Sequence, residues 1–360
     1  MVFELGAAHF RPWRRHGPDT GGLGVTPLVE IIVLNWNGLA DTLRCIVSLE
    51  NQTYPNFRIV VVDNGSTDGS ARALAALGDR VKVMGLTQNL GYTGGNNAAM
   101  REAFGRGADY VWLFNNDATA APSALATLVA ATERNPAIGL ASPLVMESPD
   151  LGTMQHGCGM FDLVRPEYIH SEGARQAEDW QLRHPDQIAV HGTALLIRRT
   201  LYQAIGGLGD HFFAYWEDID YSIRSAKAGY RNVVIDEAVI YHASKQPQTA
   251  PDSIKPHYYY FMSRNELLLW RKFCSRRTFI KSALWNLHRQ LRQIARMPDY
   301  AAGIDAALAG LWHGLLGIGG PFDPAARMPE PLRTMFGQHP GFWLRLLGKT
   351  PTGTADESRH

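Results

Sequence analysis

The chain is poor in cysteine: its 360 residues include only Cys45, Cys158 and Cys274. Their separations fit neither a zinc ligand set nor a disulfide framework, so a reducing, cytoplasmic setting is the default expectation. An excess of one charge is missing too. Lys and Arg number 35 against 34 Asp and Glu, a formal charge of +1, and no overall field argues for a nucleic-acid partner. No apolar run reaches the roughly 18 residues that a membrane-spanning helix needs. The nearest, at 306–320, is short, is broken by glycines and contains His313. Residues 1–27 lack the continuous apolar segment of a secretory signal, and their Gly, Pro and Arg content reads as a loose, disordered leader. The G-x-G-x-x-G fingerprint of dinucleotide sites does not follow the first strand.

With 45% hydrophobic residues the chain can bury a sizeable core. Dense apolar runs at 28–34 (LVEIIVL), 58–62 (RIVVV), 81–86 and 110–114 (YVWLF) read as buried strands. Between them Leu39, Leu43, Ile46 and Val47, then Ala71, Leu74, Ala75 and Leu77, recur at helical spacing. Residues 122–135 read as a helix with Pro in its first turn. Strands alternating with helices predict an α/β fold: a Rossmann-type, mostly parallel sheet with helices on both faces. Ligands of such sheets bind beyond the carboxyl ends of the strands. Polar clusters stand at three such ends, at 35–38, 63–68 and 115–117. After about Ile138 the pattern becomes irregular. Residues 189–198 (AVHGTALLIR) read as one strand, 216–228 as a helix stopped by Gly229, and 233–235 and 238–241 as two short strands.

The polar clusters have ordinary structural uses. Asn64-Gly65 turns the chain, and Asp68 or Ser66 can cap the next helix. They also have chemical ones. A carboxylate such as Asp63 at a strand end can accept the N3–H of a uracil or thymine ring. An acid such as Asp117 can hold a divalent cation against a diphosphate. Glycines at 91, 94 and 95 would let backbone approach a ligand closely. Glu217, Asp218 and Asp220 follow the aromatics Phe212, Phe213, Tyr215 and Trp216, an unlikely neighbourhood for a plain solvated face. A carboxylate there could act as a general base. Consecutive helical positions point about 100° apart, so Glu217 and Asp218 are not expected to share one task.

NWNG at 35–38, DNGSTDGS at 63–70, QNLGYTGGNNAAM at 88–100, NND at 115–117 and WED at 216–218 occur in this order. Together they resemble the family 2 glycosyltransferases, most closely the rhamnosyltransferase-like branch, over roughly residues 28–273. The resemblance implies a GT-A-like fold and inverting transfer of a hexose, rhamnose favoured, from a nucleotide-diphosphate sugar to a hydroxyl. The acceptor would be a glycan or a polyprenyl-linked intermediate of cell-surface polysaccharide synthesis. It divides the chain into a nucleotide-sugar-binding half (28–145), an acceptor-binding and catalytic half (146–255), a basic helical extension (256–348) and a polar tail (349–360). Donor contacts would come from Asn35, Asn37, Asp63, Asn64, Ser66, Asn89, Gly91, Gly94, Asn96, Asn115 and Asn116. Asp218 would be the base, with Glu217 the runner-up. His191, Gly192, Trp216 and Arg264 would meet the acceptor, Trp216 by stacking on a sugar face. Arg264 would contact a phosphate or else form a structural salt bridge. Asp117 and His242 would hold Mg²⁺ or Mn²⁺. Asn115 stands where the family's D-x-D motif has its first acid, so the metal site leans on Asp117. A nucleotidyltransferase that makes the sugar nucleotide is a rival reading, but NWNG offers no basic group for it. A non-catalytic sugar-binding protein is a second rival, opposed by the retained acids.

From Arg264 to Arg296 nine Lys and Arg face a single acid, Glu266, amid Leu, Ile, Phe and Trp. Such a stretch either lies peripherally on an anionic membrane or packs on the catalytic domain with a solvated basic face.

Overall fold

A computed structural model describes residues 26–148, 152–242, 255–296 and 300–338. Most of the expected leader and all of the expected tail lie outside the described residues. Strands β1 (Val29–Asn35), β2 (Phe57–Asn64), β3 (Lys82–Leu86) and β4 (Tyr110–Asn115) form the first half of the main sheet. Their order is β3-β2-β1-β4, all parallel. Helices α1 (Leu39–Glu50), α2 (Ser70–Ala75) and α3 (Gly91–Gly105) make the crossovers.

Strand period decides which side chains meet which helices. Val29, Ile31 and Val33 of β1 join Trp112 and Phe114 of β4 and Ile46 and Leu49 of α1 in one core. Ile32 of β1, with Val111 and Leu113 of β4, points the other way and packs on Met100 and Ala103 of α3. Both sheet faces are therefore covered, which explains the near-continuous apolar sequence of these strands. Leu113 is fully buried, and truncating it to Ala should cost about 2–5 kcal/mol of stability.

The second half is mixed. After the short β5 (Ala118–Ala120) and helix α4 (Ala124–Arg134) come β6 (Ile138–Met146) and β7 (Met154–His156). A separate three-stranded sheet holds β8 (Gly159–Asp162), β9 (Glu167–His170) and β10 (Ile188–Ala189), in the order β10-β8-β9. Helix α5 (Ala174–Arg183) lies between β9 and β10, and β11 (Ala194–Arg198) leads through α6 (Arg199–Ile205) towards α7 (Glu217–Lys227) and β12 (Arg231–His242). β11 enters the main sheet antiparallel to both β4 and β6, and the order continues β4-β11-β6-β12-β5.

Three local expectations need correction. The single strand expected at 189–198 is two strands in different sheets, because the 190–193 segment leaves the ladder and Gly192 donates its N–H to Asp218 Oδ2 (2.9 Å). The two short strands at 233–241 are one strand, β12, whose pairing with β6 shifts between Ile235 and Val239. The glycine-rich segment after Gln88 is the opening of α3 rather than a loop. Gly91 there has φ +75°, and a Cβ would stand 2.4 Å from Phe213 O, so the glycine admits the close approach of that backbone.

The C-terminal region is helical: α8 (Pro256–Phe273), α9 (Arg276–Ala295), α10 (Ala301–Leu316) and α11 (Glu330–Gln338). α8 is buried almost all round. It crosses α10 closely, since a Cβ on Gly310 would lie 2.3 Å from Tyr260 O. The glycines that interrupt the apolar run at 306–320 thus serve helix packing. No helix among the described residues is long and apolar enough to cross a membrane.

Candidate active site

The ends of β1, β2 and β4 stand side by side, with Asn35 opposite Asp63 and Leu34 opposite Asn115 in the ladders. The three polar clusters therefore converge, as the alternating pattern requires. Beyond them opens a cavity of about 920 Å³. Of the residues expected from sequence, Asn64, Asn89, Gly91, Asn115, His191, Gly192, Trp216, Glu217 and Asp218 line it.

Asn35, Asn37, Asp63 and Ser66 form a collar beside the cavity. Asn35 is fully buried; its Nδ2 donates to Asp63 Oδ1 (3.0 Å) and Ser66 Oγ (3.1 Å), and its Oδ1 accepts from Thr42 (2.8 Å). Ser66 Oγ also accepts from the N–H of Asn37, and Asn37 Oδ1 accepts from the N–H of Thr67. Asn64 accepts from the N–H of Leu90 and donates to Asn89 and Gly91 O, which fixes the start of α3. Asn116 donates to Thr42 Oγ1 (2.9 Å). Asn96 is buried and donates to Tyr92 O within α3, while Gly94 sits against Leu90. Neither lines the cavity.

Asp117 and His242 are 125 residues apart in sequence. The antiparallel pairing of β12 with β5 sets His242 opposite Ala118 and brings the two together. Asp117 Oδ1 lies 3.1 Å from His242 Nε2, both side chains partly exposed. His242 Nδ1 lies 2.8 Å from Gln155 Oε1. With Nδ1–H donating to that oxygen, Nε2 of the neutral ring turns a lone pair toward the carboxylate. Two acceptors so placed are reconciled by a second proton or by a cation between them. Their spacing suits adjacent ligands of one divalent ion, and the Gln155 bond is the outer support such a ligand uses.

Glu217 and Asp218 open α7, which meets the cavity end-on, so consecutive residues from Trp216 to Ile219 all line it. Both acids thus reach one cavity although successive helical positions point about 100° apart. Asp218 Oδ2 accepts from Gly192 N–H, and Oδ1 accepts from Ile219 N–H (2.8 Å). Burial raises the Asp218 carboxyl above its usual range, opposed by these two bonds. Glu217 is pushed well above its usual range by burial first and by the Asp218 charge second. Its Oε2 is buried without a hydrogen-bond partner among the described residues. Both carboxyls are thus raised, Glu217 the more strongly, while Asp218 is the one whose two oxygens accept backbone N–H bonds. Asp220 faces elsewhere, fully buried and paired with Arg224 and Lys272.

The loop before these acids has a strained backbone: Phe213, Tyr215 and Trp216 have φ of 67°, 67° and 72°. Asn265 of α8 holds it, with Nδ2 donating to Phe212 O (3.1 Å), Ala214 O (2.7 Å) and Tyr215 O (2.8 Å). Arg264 corrects its own expectation. It is fully buried, and neither a phosphate contact nor a salt bridge fits its surroundings. Its guanidinium donates to Phe212 O (2.7 Å), His211 O (3.3 Å), Gly320 O (2.5 Å) and Asn265 Oδ1 (2.8 Å). Backbone carbonyls take the place of an anion. Trp216 is mostly buried against Tyr168 and Trp270, which leaves little of its ring for a sugar.

Sequence reasoning missed several lining residues. Tyr92, whose hydroxyl donates to Gly192 O (2.7 Å), lay within the quoted QNLGYTGGNN segment. Tyr168, His156 and His170 come from short strands with no periodic signal. Tyr215 lines the cavity, and its phenol is pushed up to about 12, chiefly by burial, then by Tyr258, Glu217 and Asp117. It therefore feels both acid sites.

Comparison with known proteins shows what this arrangement belongs to. The profile of the family described as "Glycosyl transferase family 2" matches residues 30–206, which contain the collar, the NND turn and the His191-Gly192 segment. The chain is a glycosyltransferase of family 2. An N-acetylglucosaminyl-diphospho-decaprenol L-rhamnosyltransferase of Mycobacterium tuberculosis is 25% identical over 236 residues, 61% of this chain and 76% of that protein. The O-antigen biosynthesis protein RfbC of Myxococcus xanthus is 27% identical over 251 residues, 63% of this chain but 18% of that protein. Among solved structures, S. aureus TarS residues 1–349, in complex with UDP-GlcNAc, superposes with TM-score 0.50 at 15% identity, covering 89% of this chain and 88% of that one. These relatives place the glycosyltransferase in the rhamnosyltransferase-like branch, and the fold is GT-A-like.

Proposed function

We propose that this glycosyltransferase moves a hexose, rhamnose favoured, from a nucleotide-diphosphate donor to a hydroxyl of a glycan or polyprenyl-linked acceptor, with inversion. The observation that carries the reading is the placement of the acids: Asp218, held by the N–H groups of Gly192 and Ile219, and Glu217 share a cavity that opens on the polar ends of β1, β2 and β4. Asp218 accepts the proton of the acceptor hydroxyl, whose oxygen bonds to the anomeric carbon as the bond from that carbon to the diphosphate oxygen breaks. The nucleoside diphosphate leaves with its electron pair. Asp117 and His242 would hold Mg²⁺ or Mn²⁺, which supplies positive charge for the departing diphosphate. The rhamnosyltransferase relative supports both the sugar and the lipid-linked acceptor, and the O-antigen biosynthesis relative supports a role in cell-surface polysaccharide synthesis.

Contact with an anionic membrane is a second part of the reading. Of the basic stretch, Arg264, Lys272 and Arg289 are engaged inside the protein. Arg276, Arg277, Lys281, Arg292 and Arg296 stay exposed on α9 beside exposed Ile280, Leu284 and Trp285. Cations beside apolar side chains suit the interface of an anionic bilayer, on the cytoplasmic face where nucleotide sugars are supplied.

Incubation with a panel of nucleotide sugars, Mn²⁺ and glycan or polyprenyl-diphosphate acceptors, with detection of free nucleoside diphosphate, tests this function. Acceptor-dependent release, greatest with dTDP-rhamnose, is expected. Release of pyrophosphate from a nucleoside triphosphate instead would establish the nucleotidyltransferase reading.

A further inference from the structure

Three histidines stand together on one wall of the cavity. His156 closes β7, His170 closes β9 and His191 follows β10. One ligand nitrogen of each lies within 4.8 Å of the other two. His191 is central: its ring stacks on His156 (centroids 4.3 Å) and on His170 (5.2 Å). His191 is only 9% exposed, and its Nε2 has no hydrogen-bond partner among the described residues. A buried ring nitrogen without a partner is costly unless something occupies it.

The backbone under the cluster is well tied. Gly159 in the middle strand β8 pairs with His170 on one side and Ala189 on the other. Ser171 N–H donates to Cys158 O (2.9 Å), and Cys158 N–H donates to Ser171 Oγ (3.2 Å). His156 pairs with Val145 of β6. Burial first, then the neighbouring imidazoles, push His156 down to about 4 and His191 well below its usual range. Each ring without a second proton presents one nitrogen lone pair, which suits a cation.

We propose that His156, His170 and His191 form a binding site for a divalent transition metal of the zinc class, separate from the Asp117–His242 pair. Imidazole nitrogen favours zinc, cobalt, nickel or copper, whereas magnesium takes oxygen. A metal–nitrogen distance of about 2.0–2.1 Å puts tetrahedral ligand nitrogens about 3.4 Å apart. Binding such an ion would draw the nitrogens together by up to about 1.4 Å. Three protein ligands leave a position open. Here it faces the cavity that Asp218 and Gly192 also line, so water or an acceptor hydroxyl is the fourth ligand.

Cobalt titration of the full, tag-free chain tests the site without reference to sugar transfer. The background is an Asp117→Asn/His242→Gln variant, which removes the other pair. One equivalent of Co²⁺ should give the intense visible d–d bands of a tetrahedral nitrogen site. Zn²⁺ should abolish them and Mg²⁺ should not. His156→Ala and the more exposed His170→Ala should each weaken binding by about 10–100-fold or more, the lower range being what loss of a ligand's support alone costs, with unchanged circular dichroism. Absence of the bands in the background protein would overturn the proposal, as would their persistence in the folded His156→Ala/His170→Ala double variant.

Discussion

Glu217 and Asp218 share one cavity, and ionising both there is unfavourable. The raised Glu217 carboxyl has a stability consequence whose sign can be worked out. A carboxyl whose folded value is raised contributes stability that is present below the unfolded carboxyl range and is lost as pH rises through the folded value. Glu217→Gln removes the ionisable group and mimics the protonated one. The variant should therefore melt higher than the native protein near pH 8, the difference shrinking toward pH 4, about the unfolded carboxyl value. Thermal melts across that range decide it; a variant less stable at every pH would refute a raised Glu217 carboxyl. A raised Asp218 also predicts that kcat/KM falls on the acid side at a pH above the ordinary carboxylate value of about 3.9. The metal pair gives a further expectation. EDTA should abolish transfer and Mn²⁺ or Mg²⁺ restore it. Asp117→Asn should cost more than Asn115→Ala, because only Asp117 brings a charge within 3.1 Å of His242. Full activity in excess chelator would remove the metal from the account.

At the scale of elements, the helical extension reaches the acids through a loop. Phe213, Tyr215 and Trp216 occupy backbone conformations that cost of order 1–3 kcal/mol each, and the Asn265 and Arg264 bonds to the loop carbonyls offset that cost. Asn265→Ala removes three of these bonds and should lower kcat at least ~10-fold while donor affinity changes little, since the polar ends of β1, β2 and β4 are untouched. Stopped-flow turnover beside calorimetric donor binding separates the two. An unchanged kcat with only a lower melting temperature would make Asn265 a purely structural residue. This coupling could not be read from sequence, because its acceptors are main-chain carbonyls that any residue would present. The paired Arg264-Asn265 stood out only as an arginine in search of an anion.

Across the whole molecule, what could be read in advance follows periodicity. β1, β2 and β4 are buried on both faces, so their apolar runs announced them and placed the three polar clusters at one sheet edge. The second half resisted because its strands are short or two-sided. The break at His191-Gly192 moves one apparent strand into two sheets, and the three-histidine wall is assembled from segments with no regular spacing. Asp117 and His242 were paired in sequence only through family resemblance; the β12–β5 register supplies the physical reason. The same scale holds the membrane expectation. The protein should sediment with anionic vesicles at low salt, stay in solution with neutral ones, and leave the anionic vesicles as salt screens α9. Ile280→Ser/Leu284→Ser should weaken the sedimentation. Equal partition onto both vesicle types would exclude the electrostatic contribution.

The central claim is that Asp218 takes the acceptor's proton in a site whose donor contacts lie elsewhere. Measuring donor affinity and single-turnover transfer on the same Asp218→Asn protein tests it most directly. Donor binding should be retained while transfer falls by about 10²–10⁴-fold, the range for removing a positioned acid or base, with Glu217→Gln much milder. Near-normal transfer by Asp218→Asn, with Glu217→Gln inactive, would contradict the account and move the base to Glu217.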